Sequence, residues 1–190
     1  MSWMSMDKQI NKIWKSAFYH LRNIAEVTTF ISYRHCEILI HTFVTSKLDH
    51  CNTLLTGLRQ DQIQRLQYVQ NAAARLLTGS HKHDEITPVL KDLHWLPVTE
   101  RINFKILLLT FKSIILMAPK YLPDLLIWYH RTQAFRSGNK SLLVQLRFKL
   151  KTYGLRAFSI VVPSLWNALL LELRTSLDAI KVVFNHYYYY

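Results

Sequence analysis

Apolar residues in the first third of the chain recur every three or four positions, with polar residues between them. This period is typical of amphipathic helices. It predicts a first helix from Asp7 to Val27, a second from Tyr33 to Leu55 and a third from Gln60 to Leu77. The predicted inner residues are Ile10, Ile13, Trp14, Phe18, Leu21 and Ile24 in the first helix, Leu39, Phe43, Val44, Leu48, Cys51 and Leu55 in the second, and Ile63, Leu66, Val69, Ala73, Leu76 and Leu77 in the third.

Residues suited to helix ends lie at the limits of these segments. Ser32 is a candidate N-cap, and Gly57 and Gly79 follow the second and third helices, where a left-handed C-cap residue is expected. Ala72 to Ala74 favour a close approach between helices. We therefore expect the three helices to form an antiparallel cluster. In the first helix Lys8, Lys12, Lys15 and Arg22 lie off the apolar side and make its other face basic.

Prolines mark further helix starts in the middle of the chain. A helix is expected to begin at Pro88 with Thr87 as its cap, because proline in the first turn removes no intrahelical hydrogen bond. Pro97 is expected to open a longer helix that ends near Leu116. Its apolar content predicts that it is the most buried element, through Ile102, Ile106, Leu109 and Ile114. Pro119 is expected to stop it and to start a brief helix through residue 126.

The last third is less regular. Polar residues predict an exposed loop from Tyr129 to Ser141, and alternation predicts a strand from Leu142 to Leu150. Pro163 is expected to begin a helix that extends to Leu173, and Ser176 with Asp178 to open a final one.

The predicted fold is mainly α: a helical cluster, then a second helical segment with one short strand or hairpin. The expected parts are a three-helix segment at 1–79, a central helical segment at 80–128, a loop at 129–141 and a C-terminal helical extension at 142–190.

Charge indicates the kind of partner. The net charge is +12 at pH 7, with basic residues spread along the chain, and such a field attracts nucleic acid or an anionic membrane surface. A basic solvated surface without a partner is the alternative.

Two cysteines, Cys36 and Cys51, are too few for a disulfide framework, so we expect an intracellular protein of the nucleus or cytoplasm. The longest uncharged apolar run, Ala157 to Leu171, is too short to cross a bilayer, so no membrane association is expected.

Catalytic and metal-binding patterns are missing from the sequence. Cys36 and Cys51 would lie about 22 Å apart on one straight helix, too far to share an ion. His81 and His83 could be ligands, could face a phosphate or could be simply exposed. The adjacent acids Asp84 and Glu85 suit a helix N-terminus rather than a two-metal polymerase centre. We expect no enzyme activity, no cofactor and no small-molecule substrate.

Nucleic-acid binding fits the composition better, because lysine and arginine neutralise phosphates and aromatic rings stack on unpaired bases. For each candidate the alternative is a solvated cation or a core tyrosine. Trp95 and Trp166 are expected in the core. The candidate contacts are Lys82, Arg101, Lys105, Lys149, Lys151, Tyr153 and Arg156.

Several long segments, in this order, resemble one family. The segments TSKLDHCNTLLTGL, IQRLQYVQNAAARLLTG, HKHDEITPVLKDLHWLPV, RINFKILLLTFK, APKYLPDLL, KTYGLRAFS and PSLWNALLLELR are similar to the C-terminal region of the reverse-transcriptase polyprotein of LINE-type non-LTR retrotransposons. The similarity extends from about Ile13 to Ile180. The runs AFRSGNKS and VQLRFKL depart from the family pattern.

The resemblance implies a non-catalytic part of an RNA-directed DNA polymerase. In the family the palm, with its catalytic aspartates, and the endonuclease lie upstream of this region. The first three helices would correspond to the thumb and the segment after it, which grips the template–primer duplex. The implied partners are RNA or RNA–DNA duplex, bound weakly and without sequence choice, and a reverse-transcriptase core. The methionine-rich start and the ending NHYYYY suggest a reading frame derived from a decayed transposable element. A helical protein-interaction module without a nucleic-acid role is the alternative.

Overall fold

Helices account for most of the structure, a computed structural model that describes residues 6–129, 141–146, 157–169 and 174. The prediction of a mainly α fold is confirmed. The α-helices are α1 (Asp7–Val27), α2 (Tyr33–Ile40), α3 (Ser46–Asp49), α4 (Gln60–Thr78), α5 (Ile86–Asp92), α6 (Val98–Ile114) and α7 (Phe158–Ala168), with short 3₁₀-helices at Thr28–Phe30, Asn52–Leu55 and Pro123–Leu125 and a π-helix at His41–Thr45.

The chain divides into two units, Met1–Ile102 and Asn103–Tyr190, and the division falls inside α6. The predicted loop at 129–141 lies almost wholly outside the described residues.

Helices α1 and α4 are the main packed pair of the first unit. The bounds of α1 agree with the prediction, and Ile10, Ala17, Leu21 and Ile24 are buried along one side. In α4 the buried residues include Leu66, Val69, Ala73, Ala74 and Leu77, and Gly79 ends the helix with a φ of 69°. The predictions for both helices are therefore confirmed, apart from Trp14, Phe18, Ile63 and Leu76, which are only partly buried.

The predicted second helix is interrupted. After α2 the backbone forms one π turn, His41–Thr45, before α3 ends at Asp49. Its buried residues are Cys36, Ile40, Val44 and Leu48, spaced by four. In an α-helix each step of four rotates about 40° beyond a full turn, so a strict four-residue spacing drifts around the helix. The wider π turn compensates for this drift and keeps the four residues on one side.

Part of the predicted inner face of this segment was wrong. Phe43 is 40% exposed and Leu39 is only partly buried, because the π turn changes which residues face inward. Cys51 lies beyond the helix end, is exposed and has a φ of 55°, so Cys36 and Cys51 do not share one straight helix. Gly57 comes after the 3₁₀-helix and has a φ of 70°, in the left-handed conformation expected of it.

Pro88 and Pro97 lie at the starts of helices, but neither is the first helical residue. Helix α5 begins at Ile86, so Pro88 is its third residue and Thr87 is not the cap. This remains compatible with proline, because the first-turn N–H groups have no intrahelical acceptor. Pro97 immediately precedes α6, and its carbonyl accepts the Arg101 N–H at 2.9 Å. The brief helix expected from Pro119 is a turn followed by the 3₁₀-helix Pro123–Leu125.

The part of α6 in the second unit buries polar as well as apolar side chains. Thr110 and Ser113 have no exposed surface, while the predicted inner residues Leu109 and Ile114 are only partly buried. The Thr110 hydroxyl donates to the Ile106 carbonyl at 2.8 Å, and the Ser113 hydroxyl to the Leu109 carbonyl at 2.7 Å. Hydrogen bonds to the preceding turn satisfy these hydroxyls, so they can occupy the buried side.

The described part of the predicted strand forms only an isolated antiparallel bridge between Leu143 and Trp128. Leu143 is buried, whereas Leu146 is 39% exposed. The Asn167 side chain donates to the Leu143 carbonyl and accepts the Leu143 N–H, both at 2.9 Å. A side chain of α7 thus takes the hydrogen bonds that a neighbouring strand would supply. Residues 147–150 lie outside the described part.

The prediction that Pro163 starts a helix was wrong, because α7 begins at Phe158 and Pro163 lies inside it. Pro163 and Trp166 are both buried, so apolar packing retains a proline that lacks the N–H to continue the helical ladder. The Trp166 indole donates to the Ser141 carbonyl at 2.9 Å, and its predicted core position is confirmed. The final helix expected from Ser176 lies outside the described residues.

Candidate nucleic-acid interface

Three of the seven candidate contacts, Lys82, Arg101 and Lys105, lie in the described part of the chain. Lys82 is exposed, and Lys105 is partly buried on α6. The other four, Lys149, Lys151, Tyr153 and Arg156, lie outside the described residues.

Arg101 is engaged within the fold. Its Nη1 donates to both carboxylate oxygens of Asp49, at 3.0 and 2.9 Å, and its Nε donates to the Leu96 carbonyl at 3.0 Å. The Arg101 side chain is only 16% exposed. To bind a phosphate it would have to leave these partners, so the structure gives it a structural position rather than a surface one.

The Leu96 carbonyl is the centre of a set of hydrogen bonds that we call the Leu96 junction, formed by Asp49, Gln67, Gln70, Leu96 and Arg101. Gln70, which is 2% exposed, donates its Nε2 to that carbonyl at 2.7 Å. Gln67 accepts the N–H of neighbouring Val98 at 2.8 Å. These residues come from four of the segments that carry the family resemblance. Their polar side chains therefore bind those segments to one another.

Lys82 lies on a turn that other side chains hold in place. Arg75 donates to the carbonyls of His81 and Asp84, both at 3.2 Å. The Asp84 carboxylate accepts the His81 N–H at 2.7 Å, so it stabilises the turn itself. Glu85 is the N-cap residue of α5 but makes no side-chain capping bond. Lys82, His81 and His83 are all exposed on this turn.

The outer face of α1 carries the most regular set of cations in the described residues. We call Lys8, Lys12, Lys15 and Arg22 the basic stripe; all four are exposed and spaced by four, three and seven. They make no ion pair with any other described residue. The stripe is about 21 Å long. Glu26, four residues beyond Arg22, lies at its end. Among the described residues, a shallow groove along this face is lined by Lys8, Asn11, Lys12, Lys15, Ser16 and Tyr19.

Two groups of aromatic rings extend from α1 to neighbouring segments, one towards α4 and one towards Phe43. The first, the α4-side row, comprises Trp14, Phe18 and Tyr68, with ring centroids 4.8 and 6.0 Å apart. Arg65 of α4 lies over the Trp14 ring at 5.8 Å.

The second group, the α2-side row, comprises Tyr19, His20 and Phe43. Tyr19 meets His20 edge-on at 5.4 Å, and His20 stacks on Phe43 at 5.1 Å. Tyr68 and Tyr19, at the outer ends of the two rows, are 53% and 61% exposed. Both rows lie within the first unit.

His41 lies beside the Leu96 junction. Its ring meets Trp95 edge-on at 5.5 Å, and Trp95 is buried as predicted. Burial lowers the pKa of His41 below its ordinary value and Arg101 lowers it further, whereas Glu37 and Asp49 act in the opposite direction. The neutral imidazole is therefore more favoured here than in a free histidine.

In the described part of the chain, the thiols and acidic groups do not gather into a metal-binding set. Cys36 is buried and Cys51 exposed, and both are free thiols. Over the described ranges, no group of three or more histidine, cysteine, aspartate or glutamate side chains could hold a metal ion. Within the same part of the chain, no helix is long and apolar enough to cross a membrane.

Comparisons with protein-family models, curated proteins and solved structures find no match to this chain. The assignment of a function therefore depends on the residues and their geometry. The sequence indicated the basic face of α1 through the spacing of its lysines. It gave no sign of the two aromatic rows, because Tyr68 and Phe43 approach α1 only in the folded chain.

Proposed function

We propose that this chain is a non-catalytic fragment of a retrotransposon RNA-directed DNA polymerase that binds RNA or RNA–DNA duplex without sequence preference. The family part of the proposal is supported by the sequence segments similar to LINE-type reverse transcriptases, and the observation that carries the nucleic-acid binding is the basic stripe on α1. Its cations have no anionic partner among the described residues, so a phosphate backbone can neutralise them without breaking an internal ion pair.

The contrast with Arg101 supports this choice of surface. Arg101 already has a carboxylate and a carbonyl as acceptors, whereas the stripe lysines are exposed along one face of a long helix. Binding through such cations follows the phosphate charge and releases counterions, and it carries no base-specific readout. Lys82 adds an exposed cation on the turn before α5.

The test is the salt dependence of binding. The double variant Lys12→Gln/Lys15→Gln removes two stripe charges and keeps good helix formers. Four phosphate contacts give a slope of log K against log salt of about −2.8 for a single strand or −3.6 for a duplex. In the double variant the magnitude of this slope should fall by about 1.4 for a single strand or about 1.8 for a duplex. Fluorescence polarisation with labelled oligonucleotides at several salt concentrations measures both.

Lys91→Gln/Lys120→Gln is the matched control, because it removes the same charge from two exposed lysines outside α1. It should leave the slope unchanged. Equal slopes for the two double variants, or no salt dependence in the unmodified chain, would reject the proposal.

A second candidate function is a protein-interaction module, and exposed apolar side chains favour it. Phe30 of the first unit is 87% exposed, and Leu116 and Met117 of the second are 79% and 73% exposed. Exposed apolar groups of this kind mark interaction sites when they form a continuous patch. Sedimentation velocity without nucleic acid would show self-association under this alternative, and Phe30→Ser should reduce it. A monomer at all concentrations would argue against it.

A further inference from the structure

We infer that the nucleic acid bound along α1 is an unpaired strand whose bases stack on the exposed rings of Tyr19 and Tyr68. The inference rests on the proposed function and narrows its ligand from RNA or RNA–DNA duplex to a single strand at this surface.

The placement of the rings carries the inference. Tyr19 lies in the groove that the stripe lysines line, and Tyr68 lies on the α4 side of α1, so a backbone that follows the lysines meets one ring and passes beside the other. Tyr19 lies within the stripe itself, four residues after Lys15 and three before Arg22. Tyr68 lies on α4, at the outer end of the other row.

Each exposed tyrosine ring contacts another ring of its row, which restricts its movement before a base binds. Phe18 lies between Trp14 and Tyr68, and Tyr68 is inclined to it by 37°. On the other side, His20 is held between Phe43 and Tyr19. A supported ring loses less conformational freedom when a base stacks on it, so more of the stacking energy appears as affinity.

A duplex cannot use these rings in the same way. Its bases are already stacked inside the helix, and the major groove of an A-form duplex is too deep and narrow for side chains to read. An unpaired strand exposes its base faces, and stacking on an aromatic ring tolerates every base. A stripe of about 21 Å would span at most about six nucleotides, the number at the duplex rise of about 3.4 Å, because an extended strand spaces its nucleotides more widely.

The experiment compares a 12-nucleotide RNA of mixed sequence, alone and annealed to its complementary DNA, by fluorescence polarisation. Tyr19→Ala/Tyr68→Ala should weaken binding of the single strand by at least about 25-fold, since each of the two stacked bases contributes roughly fivefold or more. Binding of the RNA–DNA hybrid should change less than twofold. Tyr19→Phe/Tyr68→Phe keeps both rings and should bind the single strand as the unmodified chain does.

The pattern of results separates this inference from the proposed function. If Lys12→Gln/Lys15→Gln weakens binding and the tyrosine-to-alanine double variant does not, the proposed function stands and stacking is rejected. If the tyrosine-to-alanine double variant lost the same affinity for the single strand and for the hybrid, stacking would also be rejected. If the lysine variant has no effect, the proposed function fails, and the α1 inference fails with it.

A measurement on the unmodified chain makes the test independent of how the variants fold. Affinity for single-stranded RNA should increase with length up to about six nucleotides and exceed that for the hybrid of equal length. Tighter binding of the hybrid at every length would overturn the inference.

Discussion

The Arg101 guanidinium contacts both carboxylate oxygens of Asp49, at 3.0 and 2.9 Å, across 52 positions of sequence. This ion pair connects the first turn of α6 to the last residue of α3. It also holds Arg101 where its Nε reaches the Leu96 carbonyl. A residue that looks like a phosphate contact in the sequence therefore joins two distant segments of the fold.

We expect Arg101→Met to lower the free energy of unfolding by about 1–2 kcal/mol, because it removes charge-assisted hydrogen bonds from a mostly buried side chain. Asp49→Asn should lower it by about 1 kcal/mol, since Asp49 is 45% exposed. Urea unfolding of both single variants and the double variant measures their coupling. Strict additivity would show that the pair is not a stabilising contact.

Arg59 provides the control for this prediction. Its guanidinium pairs with Asp61 at 3.1 Å, but both side chains are more than 60% exposed. Arg59→Met should therefore change the free energy of unfolding by less than about 0.5 kcal/mol.

The buried amide of Gln70 gives a second prediction. Gln70→Met keeps much of the side-chain shape but removes the 2.7 Å donor to the Leu96 carbonyl, and it should lower the free energy of unfolding by about 1–2 kcal/mol. Combined with Arg101→Met, the loss should exceed the sum of the two, because the carbonyl then lacks both donors. Gln64→Met, on the exposed side of α4, is the control and should be nearly neutral. A Gln70→Met variant as stable as the unmodified chain would contradict this prediction.

The third prediction concerns the stability of the folded chain at acidic pH. Because burial lowers the pKa of His41 in the folded chain, the unfolded chain binds the proton more readily. The stabilising effect of the neutral ring is complete above the unfolded pKa of about 6.5 and is lost as the pH falls through the folded value. The charged neighbours that set this balance are Glu37, Arg101 and Asp49.

Urea unfolding at pH 7.5, 6.5 and 5.5 measures this effect. His41→Gln should remove part of the loss of stability between pH 6.5 and 5.5. His83→Gln, the same change on the exposed turn before α5, should not. If the fall from pH 6.5 to 5.5 stabilised the unmodified chain relative to His41→Gln, the effect of His41 would have the opposite sign and the prediction would be wrong.

The parts of the fold that depend on local pattern were predicted well. Helices α1 and α4 each have a continuous apolar side and a clear end, such as Gly79, so spacing alone is enough to locate them. The π turn was not predicted, because residues spaced by four are compatible with either helix type over two turns. Pro163 was misplaced because proline usually marks a helix start, whereas here buried apolar neighbours keep it inside α7.

The candidate site shows the same division between local and distant information. The basic face of α1 can be read from lysine spacing, since it belongs to one helix. The partner of Arg101 cannot, because an arginine destined for an internal carboxylate and one destined for a phosphate look alike in sequence. The aromatic rows needed the folded chain, since Tyr68 and Phe43 come from other elements.

The single π turn at His41–Thr45 affects more than local packing. It amounts to one residue inserted into a helical repeat, which turns every later residue of the segment by about 100° around the helix axis. Asp49 comes four residues after that turn. In an uninterrupted α-helix the unchanged sequence would carry this carboxylate away from Arg101, whereas deletion of one residue between positions 41 and 45 would remove the π turn and keep Asp49 on its present side. The link between two remote stretches therefore depends on the wide turn that absorbs one surplus amino acid.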